Sequence, residues 1–144
     1  MINIPKVFID SNIPMYATGM EHPNKEISFN FLKKVAEGKI FGTTSVEVMQ
    51  EILYRYCSLN MLLKGIEVFE YFSEIVDEIL PVNMHIINNS KDILRKHFSN
   101  GILPRDSIHA ATMTHYNIKY IATFDKHFEI FEDIKNYLDH FKKI

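Results

Sequence analysis

The amino-acid sequence predicts an α/β fold, in which a mostly parallel sheet is flanked by helices. Short β-branched and aromatic runs alternate along the chain with longer segments whose apolar residues recur at helical spacing. The run at 7–9 is continuously apolar, which is typical of a strand buried on both faces. With 144 residues and neither a linker nor an internal repeat, the chain is predicted to form a single domain over 1–144.

The predicted elements are set by apolar periodicity and by turn residues. Strands are expected at 7–9, 40–44, 79–82, 119–124 and 131–134. Helical segments are expected at 13–17, 25–38, 46–56, 61–76, 83–97 and 104–113, followed by an amphipathic tail helix containing Tyr137, Leu138 and Phe141. Stop and start signals support these bounds, among them Gly38, the N-cap Ser45 and Pro104 at a helix start.

Two of the helices have predicted inward faces. On the helix after the second strand the apolar stripe is Val46, Met49, Leu53 and Tyr56, and on the next helix Leu62, Ile66, Phe69 and Phe72 are expected to point inward. Cys57 lies within this apolar-periodic region, and we expect it to be buried rather than reactive.

Composition is that of an ordinary globular protein, with 47% hydrophobic and 24% charged residues. A formal net charge of -2 argues against a bulk electrostatic attraction to nucleic acid, although local basic patches remain compatible with it. The single cysteine excludes an internal disulfide and fits a reducing compartment. Neither a signal peptide nor an apolar stretch of about 18 residues is present, so we expect a cytoplasmic protein that does not span a membrane.

Four acidic residues occupy the ends and starts of predicted elements. Asp10 and Asp125 each follow a strand, Asp106 lies in the first turn of a helix, and Glu51 lies on the helix after the second strand. In a right-handed parallel arrangement, strand ends and the helix starts that follow them share one edge of the sheet. Clustered carboxylates cannot all stay ionised without a cation, and hard oxygen ligands suit Mg²⁺ or Mn²⁺. The pattern therefore favours a metal-assisted site.

Each acid also has a purely structural interpretation. A carboxylate after a strand can form a turn or a cap, as Asp10 and Asp125 would, and Asp106 can complement the helix dipole. Glu51 can pair with Arg55 on the surface of its helix, a contact worth about 0.3–0.5 kcal/mol. It is the coincidence of four such positions that favours a common site.

Four motifs in this sequence resemble those of the PIN-domain nucleases. The run Val-Phe-Ile-Asp-Ser-Asn at 7–12 resembles the opening motif of that family, and 44–53 resembles the second motif, with its acid six residues after the serine. The third and fourth motifs resemble 104–111 and 121–128. The resemblance spans nearly the whole chain in the order of the family. It is nearest to the small PIN proteins of prokaryotes, which are similar to toxins of VapBC-type toxin–antitoxin pairs.

The resemblance implies a PIN-like three-layer α/β/α sandwich that hydrolyses RNA phosphodiesters with a metal-activated water and no covalent intermediate. It further implies an RNA substrate, a cognate antitoxin as partner, and a homodimer, for which the helical region 61–76 offers apolar surface. The residues that would bind Mg²⁺ or Mn²⁺ and carry catalysis are Asp10, Glu51, Asp106 and Asp125.

Further residues match the motifs or flank them. Thr123 would support a ligand or the phosphate through its hydroxyl, and Ser11 and Asn12 would support the site from behind. Glu47, one turn before Glu51 on the same side of its helix, is a substitute for it. The residues that flank the acids and would contact phosphate, or would simply be solvated, are Arg105, Lys126 and His127.

Other chemistries find less support in the sequence. The seven histidines show no zinc-binding spacing, and no G-x-S-x-G or Walker motif is present. His109 would either approach the metal site or pack as a hydrogen-bonded core residue, which is the more common case. A haloacid-dehalogenase-like phosphatase would have a second aspartate where this chain has Asn12. A non-catalytic interaction module of the same fold and a structure-selective DNA nuclease remain open as alternatives.

Overall fold

The computed structural model describes residues 3–142 and contains a five-stranded sheet in the order β3-β2-β1-β4-β5. All four strand pairings are parallel. The strands are β1 (Lys6–Ile9), β2 (Phe41–Ser45), β3 (Glu78–Leu80), β4 (Tyr120–Ala122) and β5 (Lys135–Asn136).

Seven α-helices and two 3₁₀ turns complete the described part of the chain. The α-helices are α1 (Asn12–Ala17), α2 (Lys25–Ala36), α3 (Val46–Ser58), α4 (Leu62–Ile75), α5 (Met84–His97), α6 (Pro104–His115) and α7 (Asp139–Lys142). The 3₁₀ turns cover Phe98–Asn100 and Lys126–Ile130. Helices α1 to α4 contact one another, whereas α5 packs on α6. None of the helices within 3–142 has the length and apolar character needed to cross a membrane.

The burial of the central strand β1 shows that the sheet is covered on both faces. Val7, Phe8 and Ile9 are all fully buried, because β1 has a strand on each side and helices above and below. Phe8 is in register with Thr43 of β2 and with Ile121 of β4. Continuous burial of successive residues is what a parallel sheet covered on both faces requires.

The chain reverses its direction of winding across the sheet at β1. From β1 it moves outward through β2 to β3, and then crosses back to β4 on the other side. In open α/β sheets, ligands bind at the carboxyl ends of the strands at such a switch point. Asp10 follows β1 there, and Thr123 and Asp125 follow β4.

The predicted fold class is confirmed, and the sheet is entirely parallel. The predicted N-cap at Ser45 is confirmed by a hydrogen bond that its hydroxyl accepts from Val48 N–H at 3.2 Å. The last strand and helix were misplaced, since β5 lies at Lys135–Asn136 rather than at 131–134 and α7 starts only at Asp139. A two-residue strand is too short to give a periodic signal.

The two predicted inward faces were partly wrong, although Met49, Tyr56 and Phe72 are buried as predicted. Val46, Leu62 and Ile66 are exposed, and the buried residues of α4 are Gly65, Val68 and Phe72. Cys57 is exposed rather than buried, since it follows Tyr56 on α3 and falls off the face that contacts the core. Both helices are rich in apolar residues on more than one side, so periodicity alone does not decide which side faces the sheet.

Gly65 allows α3 and α4 to approach closely. A Cβ atom built on Gly65 would lie 2.6 Å from the Cβ of Tyr56, a separation that real side chains do not tolerate. Tyr56 is itself buried, with 7% of its surface exposed. The glycine is therefore required by packing between the two helices.

We predict that Gly65→Ala lowers the free energy of unfolding by about 1–3 kcal/mol, as overpacking in a core does. This is opposite to the stabilisation that glycine-to-alanine changes usually give inside helices. Urea denaturation monitored by circular dichroism measures it. Glu67→Ala, at an exposed position of the same helix, is the control and should change stability by less than about 0.5 kcal/mol. An unchanged or more stable Gly65→Ala protein would contradict the close contact.

Candidate metal centre

An open cleft of about 950 Å³ lies at the carboxyl edge of the sheet. All four predicted acids line it, which brings together residues from β1 to the loop after β4. The polar part of the cleft also includes Ser11, Asn12, Glu47, Gln50, Arg55, Arg105 and His109. Its apolar wall is formed by Met15, Tyr16, Met20, Tyr54 and Leu59.

Asp10 lies at the base of the cleft and is 6% exposed. Its Oδ1 accepts a hydrogen bond from the backbone N–H of Ser11 at 2.7 Å, and its Oδ2 accepts one from the Thr123 hydroxyl at 2.7 Å. These two donors fix the orientation of the carboxylate at the end of β1.

Thr123 and Asn12 connect the two sides of the switch point. The Thr123 hydroxyl donates to Asp10 and accepts a hydrogen bond from the backbone N–H of Asp125 at 3.0 Å. The Asn12 side-chain amide donates to Thr123 Oγ1 at 3.3 Å and its oxygen accepts from Phe124 N–H at 3.4 Å. These contacts place both residues behind the acids, in line with the supporting positions expected from the sequence.

Glu51, on α3, lies close to Asp10, and His109, on α6, lies close to both of these acids. The Ser11 hydroxyl donates to Glu51 Oε2 at 3.0 Å. His109 Nε2 lies 2.7 Å from Glu51 Oε1 and 3.9 Å from Asp10 Oδ1. Despite the short distance, the described residues provide no aligned hydrogen-bond partner for Glu51 Oε1 or for either ring nitrogen of His109.

Asp106 and Asp125 form a second group together with His127. The Asp106 Oδ2 accepts from Leu103 N–H at 2.9 Å, and Asp125 Oδ1 accepts from His127 N–H at 2.9 Å. The ring Nδ1 of His127 lies 3.1 Å from Asp106 Oδ2 and 3.2 Å from Asp125 Oδ1. Asp125 thus caps the turn after it, as its structural interpretation expected, and Asp106 caps α6 in addition to the expected placement in its first turn, while both line the cleft.

Burial dominates the electrostatics of the site. It raises the pKa of the Asp10 carboxyl above its ordinary value of 3.8, and the lowering effects of His109 and the Thr123 hydroxyl do not offset it. Burial also raises the pKa of Asp106, with a further contribution from the nearby charge of Asp125. Burial by itself would lower the pKa of His109, but Glu51 and Asp10 raise it above 6.5. Burial therefore disfavours the ionised forms of Asp10 and Asp106, and a bound cation would stabilise them.

The donor set fits a hard divalent cation. Donor atoms of Asp10, Glu51 and His109 lie within 4.8 Å of one another, and the same holds for Asp106, Asp125 and His127. The unpartnered Glu51 Oε1 is a buried acceptor, and such an atom is costly unless a ligand satisfies it. Carboxylate oxygens in a partly open cluster are the ligands that Mg²⁺ and Mn²⁺ prefer.

Comparison with known proteins decides the family. The profile of the family described as PIN domain matches residues 7–134. The chain belongs to the PIN-domain family. The VapC ribonuclease Mb1869c of Mycobacterium bovis is 32% identical over 129 residues, which cover 90% of this chain and 97% of that protein. Ribonuclease VapC13 of Mycobacterium tuberculosis shows the same identity and coverage.

Solved structures show the same PIN fold. VapC20 of Mycobacterium tuberculosis, described as a sarcin-ricin loop cleaving toxin, matches with a TM-score of 0.71 at 15% identity and covers 86% of this chain and 93% of its own. VapBC2 from Rickettsia felis, bound to a DNA fragment from its promoter, matches with a TM-score of 0.69 at 16% identity, over 91% of this chain and 98% of that one.

The remaining predicted residues of the PIN cleft have distinct positions. Arg105 is exposed and lines the cleft, whereas Lys126 is exposed and lies outside the cleft lining. Glu47 lines the cleft, but Glu51 is the one that joins Asp10. His127, expected to contact phosphate, lies beside two acids, and its side chain is 41% exposed.

Sequence reasoning gave His109 too little weight. The signal was its position three residues after Asp106 on the same helix, which places both side chains on one face. A buried position in a helix rich in small residues made a core histidine the more common interpretation. The apolar wall of the cleft was not predicted either, because its residues come from two separate stretches, 15–20 and 54–59.

We predict that Asp10→Asn stabilises the metal-free PIN domain at neutral pH by roughly 0.5–2 kcal/mol, a gain often found on replacing a strained functional residue. Asparagine keeps an acceptor for Ser11 or Thr123 but carries no buried charge. Because the folded pKa of Asp10 is raised, the gain should vanish below its ordinary value of 3.8, where the carboxyl is protonated in both states. The gain should grow as the pH rises through the folded pKa.

Denaturation in EDTA at several pH values measures this effect. The exposed Asp133→Asn is the matched control and should show no such pH-dependent gain. Destabilisation by Asp10→Asn at neutral pH would mean that the hydrogen bonds to the carboxylate outweigh the cost of its burial.

Proposed function

We propose that this protein is a divalent-metal-dependent endoribonuclease and that it consists of one PIN domain. The observation that carries the proposal is the convergence of Asp10, Glu51, Asp106 and Asp125 on one open cleft, with two of their pKa values raised by burial. Asp10 and Asp106 are buried, and each is repelled by a half-buried acid, Glu51 and Asp125 respectively, so a cation that all four bind would explain their presence in one place. The ribonuclease names of the curated relatives support the reaction.

In the proposed reaction the residues of the chain hold and orient the reacting groups. Asp10 and Glu51 would hold a cation in one group and Asp106 and Asp125 in a second, and all four line the cleft. Thr123 keeps Asp10 and the Asp125 backbone in a fixed relation through its hydroxyl. When bound, Mg²⁺ or Mn²⁺ would lower the pKa of a coordinated water and neutralise charge on the phosphoryl oxygen. No side chain has to act as a nucleophile.

The proposed substrate is RNA, which approaches through the open side of the cleft. Arg55 and Arg105 are exposed and line it, and their guanidinium groups are suited to phosphate oxygens. The net charge of -2 gives no general attraction to nucleic acid, so these local contacts would supply it. The choice of RNA rather than DNA as the substrate rests on the ribonuclease names of the relatives.

We predict that Asp10→Asn and Glu51→Gln each reduce metal-dependent RNA cleavage by about 10³-fold or more, because loss of a ligand charge removes several kcal/mol of transition-state stabilisation. Cleavage of a structured RNA with Mg²⁺ or Mn²⁺ is measured by gel electrophoresis, with EDTA as the negative condition. Glu47→Gln should have a much smaller effect than Glu51→Gln. Asp133→Asn, which is far less buried, should cleave like the original protein.

The same assay separates the alternatives. Unchanged cleavage by Asp10→Asn would refute the proposed mechanism. Binding of RNA without cleavage under all metal conditions would favour a non-catalytic interaction module, and cleavage of branched or single-stranded DNA in preference to RNA would favour a DNA nuclease.

We further propose that the protein acts in the cytoplasm as the toxin of a toxin–antitoxin pair. The apolar wall beside the acids offers surface that a partner peptide would cover, and a basic side chain of that peptide would complement the acids. The first solved neighbours include a toxin–antitoxin complex from Klebsiella pneumoniae, with a TM-score of 0.62.

Homodimerisation is also a proposal, on a surface that α4 contributes. Leu59, Met61, Leu62, Leu63 and Ile66 are all exposed, from 38% for Ile66 to 81% for Leu63. Adjacent exposed apolar side chains of this kind mark an interaction surface.

We predict that Leu63→Asp converts the dimer to a monomer, since a carboxylate at this position would lose its hydration on association. Size-exclusion chromatography with light scattering should give twice the 16.9 kDa chain mass for the original protein and 16.9 kDa for the variant. Met84→Asp, at an exposed apolar position on α5, is the control that should leave the mass unchanged. If the original protein is a monomer, the proposed dimer is refuted. If the Leu63→Asp protein is still a dimer, the dimer interface lies on another surface.

A further inference from the structure

Two buried or half-buried histidines stand inside the acid cluster, one in each of its two groups. We propose that His109 and His127 are metal ligands, so that the cleft holds two mixed nitrogen–oxygen centres that select Mn²⁺ over Mg²⁺. This inference rests on the proposed metal-dependent function and adds the ligand set, the number of ions and the metal preference.

The first centre is formed by His109, Asp10 and Glu51. The His109 side chain is 2% exposed, and neither of its ring nitrogens has an aligned hydrogen-bond partner among the described residues. Its Nε2 nevertheless lies 2.7 Å from Glu51 Oε1 and 3.9 Å from Asp10 Oδ1. A buried ring nitrogen that points at two carboxylates without a directed hydrogen bond has the arrangement of a ligand that shares a cation with them.

The spacing of these atoms agrees with a common ion. Neighbouring ligands of an octahedral ion at about 2.1 Å are roughly 3 Å apart. The Nε2 to Oε1 distance of 2.7 Å is close to this value, and the 3.9 Å to Asp10 can be closed by a small side-chain adjustment.

The second centre is formed by His127, Asp106 and Asp125. The Nδ1 of His127 lies 3.1 Å from Asp106 Oδ2 and 3.2 Å from Asp125 Oδ1, so it is equally near to a carboxylate from each element. The backbone N–H of His127 donates to Asp125, which holds the ring over the acids. The side chain is 41% exposed, so this centre is open to solvent and to substrate.

A second interpretation is that both histidines are only hydrogen-bond donors that orient the acids. For His127 the distances fit a hydrogen bond as well as shared ligation. For His109 neither buried ring nitrogen has an aligned hydrogen-bond partner among the described residues, whereas a histidine that only orients the acids would donate an aligned hydrogen bond to one of them. The proposal therefore rests on the first centre, with His109. It is extended to the second centre because His127 also lies near two carboxylates.

The ligand type has a consequence for the metal. Imidazole nitrogen is a softer donor than carboxylate oxygen, and Mg²⁺ binds it poorly, whereas Mn²⁺ and later first-row ions accept it. An all-carboxylate site would distinguish the two ions much less. Both centres place one nitrogen among two carboxylates, so the preference for Mn²⁺ should come from the histidines.

Mn²⁺ binding to the full chain tests the proposal without reference to activity. Titration followed by electron paramagnetic resonance counts the bound ions, and pulsed measurements detect coupling between Mn²⁺ and the ¹⁴N nuclei of coordinated histidine. Calorimetric titrations with Mg²⁺ and Mn²⁺ alone give the two affinities. The variants are His109→Gln and His127→Gln, and the matched control is His85→Gln, at an exposed position on α5.

The expected result is two Mn²⁺ ions per chain with ¹⁴N coupling, and at least about a tenfold loss of Mn²⁺ affinity at one site in each variant. The affinity for Mg²⁺ should change little, so the Mn²⁺ to Mg²⁺ preference should fall in both variants and stay unchanged in His85→Gln. His127→Gln keeps the test valid if His109→Gln fails to fold, as circular dichroism would show.

Bound Mn²⁺ without ¹⁴N coupling in the original protein would overturn the histidine ligation and leave the metal-dependent nuclease proposal standing. A single bound ion would overturn the pair of centres. No Mn²⁺ or Mg²⁺ binding at all would overturn this inference together with the proposed function.

Discussion

Repulsion among carboxylates at one edge of the sheet is the constraint on which the rest of the site depends. The parallel order β3-β2-β1-β4-β5 brings the end of β1 beside the end of β4, so Asp10 and Asp125, which follow these strands, line one cleft. The chain moderates the repulsion with nearby donors, chiefly Ser11 N–H and the Thr123 hydroxyl on Asp10. Burial still raises the pKa of Asp10. Burial of the cluster therefore costs stability, as the proposed binding of a cation would explain.

Structural and functional interpretations of the acids turn out to be compatible. Asp106 accepts from Leu103 N–H at the start of α6, and Asp125 accepts from His127 N–H, so both are caps. The described hydrogen bonds of Asp106 all reach Oδ2 and those of Asp125 all reach Oδ1. A carboxylate that caps with one oxygen is held in position and keeps its other oxygen outside these hydrogen bonds.

The sequence predicted those features that depend on local pattern. The strand at 7–9, its terminal Asp10 and the N-cap Ser45 are local signals, and their positions imply the shared edge through the handedness of the connections. What failed depends on tertiary packing: α4 buries Gly65 and Val68 rather than Leu62 and Ile66, because the contact with α3 decides which side faces inward. The role of His109 likewise depends on a neighbour 58 positions away, Glu51, and no local pattern reports that contact.

The position of Glu51 also depends on the packing of α3 against α4. α3 carries Glu51 toward the acids and Tyr56 toward Gly65 of α4, so one rigid helix joins the cleft to the helix pair behind it. Ser45 fixes the start of the same helix directly after β2. A shift of α3 along either contact would displace Glu51 from His109, whose 2.7 Å separation leaves no slack. Through its contact with Tyr56, Gly65 of α4 therefore helps to set the position of Glu51 in the cleft.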